Sequence, residues 1–236
     1  MIIRQSEERG KNKIHWLDAK HTFSFGRFYD PNWTNFHNLL VINEDKISPA
    51  MGFGTHPHND MEIITYVISG EIRHQDSMGN TGFIKPGEIQ VMSAGTGVSH
   101  SEMNNSQTDV THLLQIWILP SSRGLKPRYA QKKVFDEDEF NFLKPIAGDR
   151  DSQDSIALNA DAQIWLGRYN QRETIHFKPK KYNQYWIQII KGELSLGDKD
   201  FSAGDAIALV DGQTAVIKTG SEGAEFLIIE VDTLLN

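Results

Sequence analysis

The sequence contains no cysteine, which excludes disulfides, thiolate-bound zinc and iron–sulfur clusters. Any metal site in this chain must therefore use nitrogen and oxygen ligands. Long apolar stretches are also missing, because no run approaches the ~20 residues that a membrane-spanning helix requires. Residues 1–9 show no apolar signal core. From these absences we expect a cytoplasmic protein without a membrane partner.

Positive charge is scarce as well. The chain has 24 lysines and arginines against 31 aspartates and glutamates, a formal net charge of −7 and an isoelectric point of about 5.7. Such a chain has no overall positive field that would attract phosphates. Direct binding to nucleic acid is therefore not expected.

What the sequence does contain is a series of short alternating segments. Turn signals at 77–80, 85–88 and 94–97 follow one another at roughly 8–10-residue intervals, the spacing of a β-sandwich or barrel. With 236 residues, the chain should bury roughly 70% of its unfolded surface, which is ample for a core. The alternation breaks down between 121 and 154, where prolines flank the acidic run 136–139. We expect an all-β fold with an irregular linker at 126–150.

Two short motifs concentrate potential metal ligands. In an extended strand alternate side chains share a face, so His56 and His58 point the same way, about 6.6 Å apart along the backbone. The same parity places Glu62 on that face. Further along, His100 and Glu102 repeat the arrangement with an imidazole and a carboxylate. A single pair of this kind often arises by chance on a strand surface, but the second pair favours a metal site with either carboxylate as a ligand.

The other histidines lie outside any ligand spacing. His15, His21 and His37 are interpreted as ordinary packed or surface residues. His74 and His112 are assigned to packing or to a turn hydrogen bond, although either could line the surroundings of the site.

The second half of the chain resembles the first half. Without a gap, residues 56–70 align with 178–192, and proline, isoleucine and glycine coincide at a fixed offset. This pattern predicts a tandem duplication. Lys178 and Lys180 occupy the positions of the two imidazoles, and ammonium groups repel a cation. We therefore expect only the first copy to hold metal.

Together these motifs resemble the pirin family of the cupin superfamily. The resemblance rests on segments 22–26, 29–31, 54–58, 74–80 and 92–102, with Gly97, His100 and Asn104 in the order of a second cupin motif. It implies a bicupin, in which two tandem cupin barrels of the double-stranded β-helix or jelly-roll type follow each other. The expected domains are a metal-binding cupin over 1–125, the linker over 126–150 and a cupin-like domain without metal ligands over 151–236.

The resemblance also implies a ligand set. In the pirin pattern the ligands would be His56, His58, His100 and Glu102. Glu62 would then support the ligands without binding the metal itself. General cupins instead take their carboxylate from the position of Glu62. The implied cofactor is one divalent cation, with Fe(II) expected first and Mn, Ni, Co, Cu or Zn as alternatives.

Pirin-like proteins of this type resemble quercetin 2,3-dioxygenases, so the implied activity is the opening of flavonol rings with O2 and release of CO. The implied partners are a flavonoid-like aromatic substrate and O2, and Glu102 would act as the catalytic proton acceptor. Two alternatives belong to other classes. One is an iron-binding regulatory module with a protein partner, and the other is a different cupin metalloenzyme, such as an isomerase or hydrolase.

Overall fold

A computed structural model describes residues 1–148, 155–178, 180, 183–210 and 215–231. Across these residues the fold is built from strands, and the helical structure is one 3-10 turn at Ser6–Glu8. The all-β prediction is confirmed. Within the described part of the chain, no helix has the length and apolarity needed to cross a membrane.

The described part of the chain contains twenty strands. In order they are β1 (Ile2–Arg4), β2 (Gly10–Lys13), β3 (Leu17–His21), β4 (Leu39–Ile47), β5 (Gly52–His58), β6 (Glu62–Ser69), β7 (Ile72–Asp76), β8 (Thr81–Ile84), β9 (Glu88–Ser93), β10 (Val98–Asn104), β11 (Thr111–Ile118), β12 (Arg128–Lys133), β13 (Phe142–Gly148), β14 (Ile156–Ala157), β15 (Ala162–Tyr169), β16 (Thr174–Phe177), β17 (Gln184–Leu196), β18 (Lys199–Ser202), β19 (Ala206–Leu209) and β20 (Ala215–Val231).

The strands form two compact units. The N-terminal unit comprises Gly10–Asp136 and Ile156–Asp161, and the C-terminal unit comprises Met1–Arg9, Glu137–Ser155 and Ala162–Asn236. These limits differ from the expected domains at the start of the chain, because β1 pairs with β19 through Ile3 and Ile207. A three-residue edge strand is too short to show the alternation by which sequence analysis finds strands.

The N-terminal unit contains a seven-stranded sheet, β12-β9-β6-β11-β4-β3-β2, and a four-stranded sheet, β5-β10-β7-β8. Alternate residues of their strands face inward and form the core. One core cluster joins Val67 and Leu113 of the larger sheet to Ile72 and Ile84 of the smaller sheet. The smaller sheet carries the histidines of the two ligand motifs.

The expected irregular linker at 126–150 is wrong over two stretches, which form β12 and β13. Strand β12 pairs with β9 at the edge of the seven-stranded sheet, with Tyr129 opposite Met92. An edge strand keeps much of its surface in solvent, so polar residues such as Lys132 and Lys133 are tolerated and hide the strand pattern. Strand β13 pairs with β15 despite Pro145, at which the register shifts.

In the C-terminal unit the long strands β17 and β20 pair over much of their length. The sequence repeat is visible here, because β17 begins at Gln184, the position that aligns with Glu62 at the start of β6. The aligned glycines also share a conformation, with φ of +81° at Gly70 and +70° at Gly192. Lys178 is exposed, and the absence of a metal from this unit stays a prediction.

Candidate metal centre

Strand β10 lies at the middle of the candidate site, between β5 and β7. His100 is opposite His56 on β5 and opposite Asp76 on β7. Directly opposed residues of neighbouring strands have their Cβ atoms about 4.5–5.5 Å apart and point to the same side of the sheet. The pairing therefore brings the two histidine motifs together.

A β-bulge sets the position of His56. The register between β5 and β10 shifts, so that Phe53 is opposite Glu102 whereas His56 is opposite His100. The extra residue on β5 restarts the alternation, as bulges do, and Phe53 and His56 come within 6.4 Å, measured between ring centroids. The bulge also lets the carbonyl oxygen of Gly54 accept a 2.7 Å hydrogen bond from Nδ1 of His56.

Three imidazoles converge at this point. The ring centroids are 4.5 Å apart for His56 and His100, 4.8 Å for His56 and His58, and 4.9 Å for His58 and His100. One nitrogen from each ring lies within 4.8 Å of the others. Metal–nitrogen bonds of about 2.0–2.1 Å allow one cation to contact three nitrogens at such separations.

Each of the three rings can offer one unprotonated nitrogen to a metal. Because His56 donates its Nδ1 proton to Gly54, its Nε2 is left unprotonated in the neutral ring. Nε2 of His58 and Nε2 of His100 are buried and have no hydrogen-bond partner. A buried polar atom without a partner costs about 1–3 kcal/mol, and a bound cation would remove that cost. The donor set therefore fits a divalent metal with nitrogen preference.

The same crowding keeps two of the rings neutral. Burial, together with the neighbouring His56 and His74 rings, lowers the pKa of His100 from 6.5 to about 3. Burial also lowers the pKa of His58 to about 4, with contributions from His100 and His56. At neutral pH both imidazoles are unprotonated, which is the form that binds metals.

Glu102 is buried beside His100 and is held by the facing sheet. Its Oε2 accepts a 2.6 Å hydrogen bond from Nε2 of Gln115, and its Oε1 accepts a 3.2 Å hydrogen bond from Oγ1 of Thr65. A Glu102 oxygen lies within 4.8 Å of ligand atoms of His74 and His100. The three-histidine group of His56, His58 and His100 does not include it at that separation.

Glu62 occupies a different place from the one expected. Strand β5 ends at His58, and Glu62 begins β6 in the other sheet, so the parity argument across 56–62 is wrong. The Glu62 carboxylate accepts hydrogen bonds from Oγ of Ser93 and from the backbone and side-chain nitrogens of Asn159. It therefore fastens the 156–161 segment to the sheet.

Several site residues could not be identified from spacing, because they reach the site across the barrel. A polar row crosses the seven-stranded sheet at one register and consists of Gln131, Gln90, Thr65, Gln115, Asn43 and His21. Thr65 and Gln115 are the row members that bind Glu102. The sequence offers only a weak indication of this role, because Gln115 stands out merely as a polar residue between the apolar Leu114 and Ile116.

His21, interpreted from sequence as an ordinary histidine, is buried at one end of this row, and its Nδ1 lies 2.8 Å from Oδ1 of Asn43. Asp45 lies two residues from Asn43 and is also buried. Burial, together with the nearby charges of Glu102 and Glu44, raises the pKa of Asp45 to about 7. Strongly perturbed carboxyl groups of this kind cluster at functional sites.

Aromatic side chains line one side of the centre. The Trp117 ring contacts His58 edge-on at 4.9 Å, and Phe25 contacts Trp117 in the same way at 5.4 Å. The indole Nε1 of Trp117 donates to Oε1 of Gln115, whose other end holds Glu102. A cavity of about 300 Å³ opens next to His58 and is lined by Pro57, His58, Asn59, Ser77, Gly97, Val98 and Ser99.

Comparison with known proteins relates both halves of the chain to described families. Residues 2–118 match the family model described as Pirin, and residues 146–231 match the model described as Quercetinase C-terminal cupin domain. The prediction of a bicupin is thereby confirmed, and residues 119–145 lie between the two matches.

A curated relative from Escherichia coli K12, named quercetin 2,3-dioxygenase, is 41% identical over 231 residues, which cover 98% of each chain. The name agrees with the predicted class of enzyme. The crystal structure of YhhW from E. coli matches with a TM-score of 0.92 and 38% identity over 100% of this chain and 99% of that one.

A second structure is described as bacterial pirin YhhW from E. coli in complex with nickel(II). It matches with a TM-score of 0.91 and 37% identity over 98% of each chain. The alignment with the curated relative covers nearly the whole of this chain, and the histidine motifs lie within the segment matched by the Pirin model. The chain therefore belongs to the pirin family.

Proposed function

We propose that this protein is a metal-dependent dioxygenase that opens quercetin-type flavonols, consuming one O2 and releasing one CO per ring. One observation carries the proposal: Nε2 of His58 and Nε2 of His100 are buried without partners in a group of three converging imidazoles. The name of the E. coli relative supports the choice of substrate and reaction.

The residues that would hold the cation are His56, His58, His100 and Glu102. Four ligands of this kind leave coordination positions open on an octahedral ion, as a catalytic centre requires. Nitrogen and oxygen donors suit Fe(II) and also Ni(II) or Mn(II), and the related pirin YhhW has been described with nickel. We propose Fe(II) as the physiological ion.

When bound, the metal would supply Lewis acidity, lowering the pKa of a flavonol hydroxyl placed next to it. Glu102 would accept the hydroxyl proton at one of its carboxylate oxygens. Gln115 and Thr65 hold that carboxylate from the opposite sheet, so its position is fixed before substrate arrives. Burial of Glu102 also keeps bulk water away from the transferred proton.

The flat flavonol ring system requires an apolar surface. Trp117 lies beside His58, and Phe25 packs at right angles against Trp117. Aromatic contacts of this geometry contribute about 0.5–1.5 kcal/mol beyond the burial of apolar area. The hydrogen bond from Trp117 to Gln115 links this surface to the group that holds the proton acceptor.

The proposal is tested with protein purified without oxygen and reconstituted with Fe(II), Ni(II) or Mn(II). Quercetin absorbance should decay only when both the metal and O2 are present, and CO should be detected. Persistence of quercetin in air with each of the three metals bound would refute the assignment. Binding of quercetin or of a protein without turnover would then favour the regulatory alternative.

Glu102→Gln separates the role of proton acceptor from that of ligand. The amide oxygen can still contact a cation, but the amide accepts protons poorly. We expect turnover to fall by a larger factor than metal affinity. Equal factors for both quantities would show that Glu102 acts only through the metal.

A further inference from the structure

A buried pair of side chains, His74 and Asp76 of β7, lies on the other side of His100 from the proposed metal position. His74 is fully buried. Its Nδ1 is 3.4 Å from Nδ1 of His100, and its Nε2 is 3.1 Å from Oδ2 of Asp76. The three groups form a line of hydrogen bonds that ends at a candidate ligand.

The chemistry of each group determines where the protons lie along this line. A carboxylate only accepts hydrogen bonds, so Nε2 of His74 must donate to Asp76. In a neutral His74 ring, Nδ1 is then an acceptor, and Nδ1 of His100 must donate to it. His100 is left with a bare Nε2, which is the atom that has no partner.

Asp76 is held by the turn that follows β7. Its Oδ1 accepts hydrogen bonds from the backbone nitrogens of Met78 and Asn80, at 2.9 and 3.0 Å, and its Oδ2 accepts one from Nδ2 of Asn80 at 2.9 Å. Gly79 provides the positive φ of +91° that the turn uses. The 74–80 motif thus fixes the position of the carboxylate that accepts from His74.

We propose that Asp76 and His74 are positioning residues that fix the tautomer and ring orientation of His100, so that Nε2 of His100 is directed at the cation. This inference rests on the proposed metal site and adds two residues to it. Ring N–H groups of metal-binding histidines are commonly held by such outer partners, whose loss weakens metal affinity about 10- to 100-fold.

A second histidine–carboxylate pair, with different surroundings, offers a comparison. Nε2 of His112 lies 2.9 Å from Oε1 of Glu44 in the same unit. This pair has the same chemistry, but both side chains are partly exposed, and His112 is opposite Lys46 and Ser69 in the seven-stranded sheet rather than in the sheet of the histidine motifs. Replacing His112 therefore controls for the general effect of removing a histidine–carboxylate hydrogen bond from this unit.

The experiment measures Co(II) and Ni(II) affinity by chelator competition for full-length variants. His74→Phe keeps a ring against Tyr129, the neighbour at 4.9 Å, but removes the acceptor, and it should weaken binding about 10- to 100-fold. His74→Asn returns an acceptor oxygen near the position of Nδ1 and should recover most of the affinity. His112→Phe should bind as the wild type does.

A spectroscopic measurement separates positioning from general packing. In Co(II)-loaded wild type, the Nδ1 proton of His100 should give a slowly exchanging paramagnetically shifted NMR signal. The signal should be retained in His74→Asn and should exchange rapidly or vanish in His74→Phe and Asp76→Asn. Unchanged affinity and signal in folded His74→Phe would overturn the proposal.

Two further results of these experiments would each decide the role of His74. His74, His100 and Glu102 also lie within 4.8 Å of one another, so binding of a second cation that His74→Phe abolishes would replace the positioning role with a ligand role. Because the readouts need no turnover, weakened metal binding in His74→Phe supports the positioning role even if quercetin is not a substrate.

Discussion

Replacing Gln115 with leucine tests how the proposed proton acceptor is held. The substitution removes the 2.6 Å hydrogen bond to Oε2 of Glu102 and also leaves the Trp117 indole without its acceptor. A hydrogen bond to a charged group contributes about 1.5–3 kcal/mol, and each 1.36 kcal/mol corresponds to a tenfold change in rate. We therefore expect kcat/KM for quercetin to fall roughly 10- to 150-fold.

Thr65→Val is the comparison variant, because Thr65 donates to the other oxygen of Glu102 over a longer distance, 3.2 Å. Hydroxyl–carboxylate bonds are strongest at about 2.5–2.7 Å, so the Thr65 bond should contribute only about 0.5–1.5 kcal/mol and cost roughly 2- to 12-fold in kcat/KM.

The assay follows quercetin decay at saturating metal, with metal content measured for each variant and folding checked by thermal melting. A loss in Thr65→Val that equals or exceeds the loss in Gln115→Leu would refute the reasoning from hydrogen-bond length. Full activity in folded, metal-loaded Gln115→Leu would show that the position of Glu102 does not limit turnover.

The remaining predictions concern acid stability and the geometry of the site. The folded-state pKa values of His58 and His100, about 4 and about 3, lie below the ordinary 6.5, so the unfolded chain binds more protons between these values. The pKa of Asp45, raised to about 7, has the opposite effect, because it favours the folded state as the pH falls over the same interval. Denaturant titrations of metal-free Asp45→Asn protein should therefore show stability falling as the pH decreases from 6.5 towards 4, and constant stability there would contradict the histidine shifts. Gly52→Ala places a Cβ about 2.1 Å from a β10 carbonyl oxygen, so it should destabilise the fold by about 1–3 kcal/mol and weaken metal binding. Gly54→Ala meets open space and should do neither, as melting and metal competition will show. Glu62→Ala should leave metal affinity within about twofold while it increases protease cleavage near residue 159. Loss of metal from this variant would instead identify Glu62 as the carboxylate ligand, as in general cupins.

The fold and the histidine group follow from local patterns that the sequence displays. His56, His58 and His100 stand on strands with clear alternation, and a pairing of those strands brings them together. Glu62 was misplaced because two strands separated by a short break, in which Asp60 has a φ of +44°, look like one continuous alternation. Periodicity cannot detect a change of sheet.

Contacts across the barrel were beyond the reach of local patterns. Gln115 and Thr65 are ordinary strand residues until the two sheets are brought face to face, and only then do they meet Glu102. His74 was assigned to packing or a turn hydrogen bond. It does form a hydrogen bond with Asp76 at the end of β7, next to the turn, but its contact with His100 depends on the register between β7 and β10.

Single turnover of quercetin with ¹⁸O2 and metal-loaded protein measures directly whether the protein is a dioxygenase for flavonols. Ring opening with release of one CO requires both oxygen atoms of O2 to enter the ring-opened product, while the CO keeps the oxygen of the substrate hydroxyl. We predict a doubly labelled product with an equal amount of unlabelled CO, and no product from His100→Ala. Singly labelled product, labelled CO or unchanged quercetin would contradict the account.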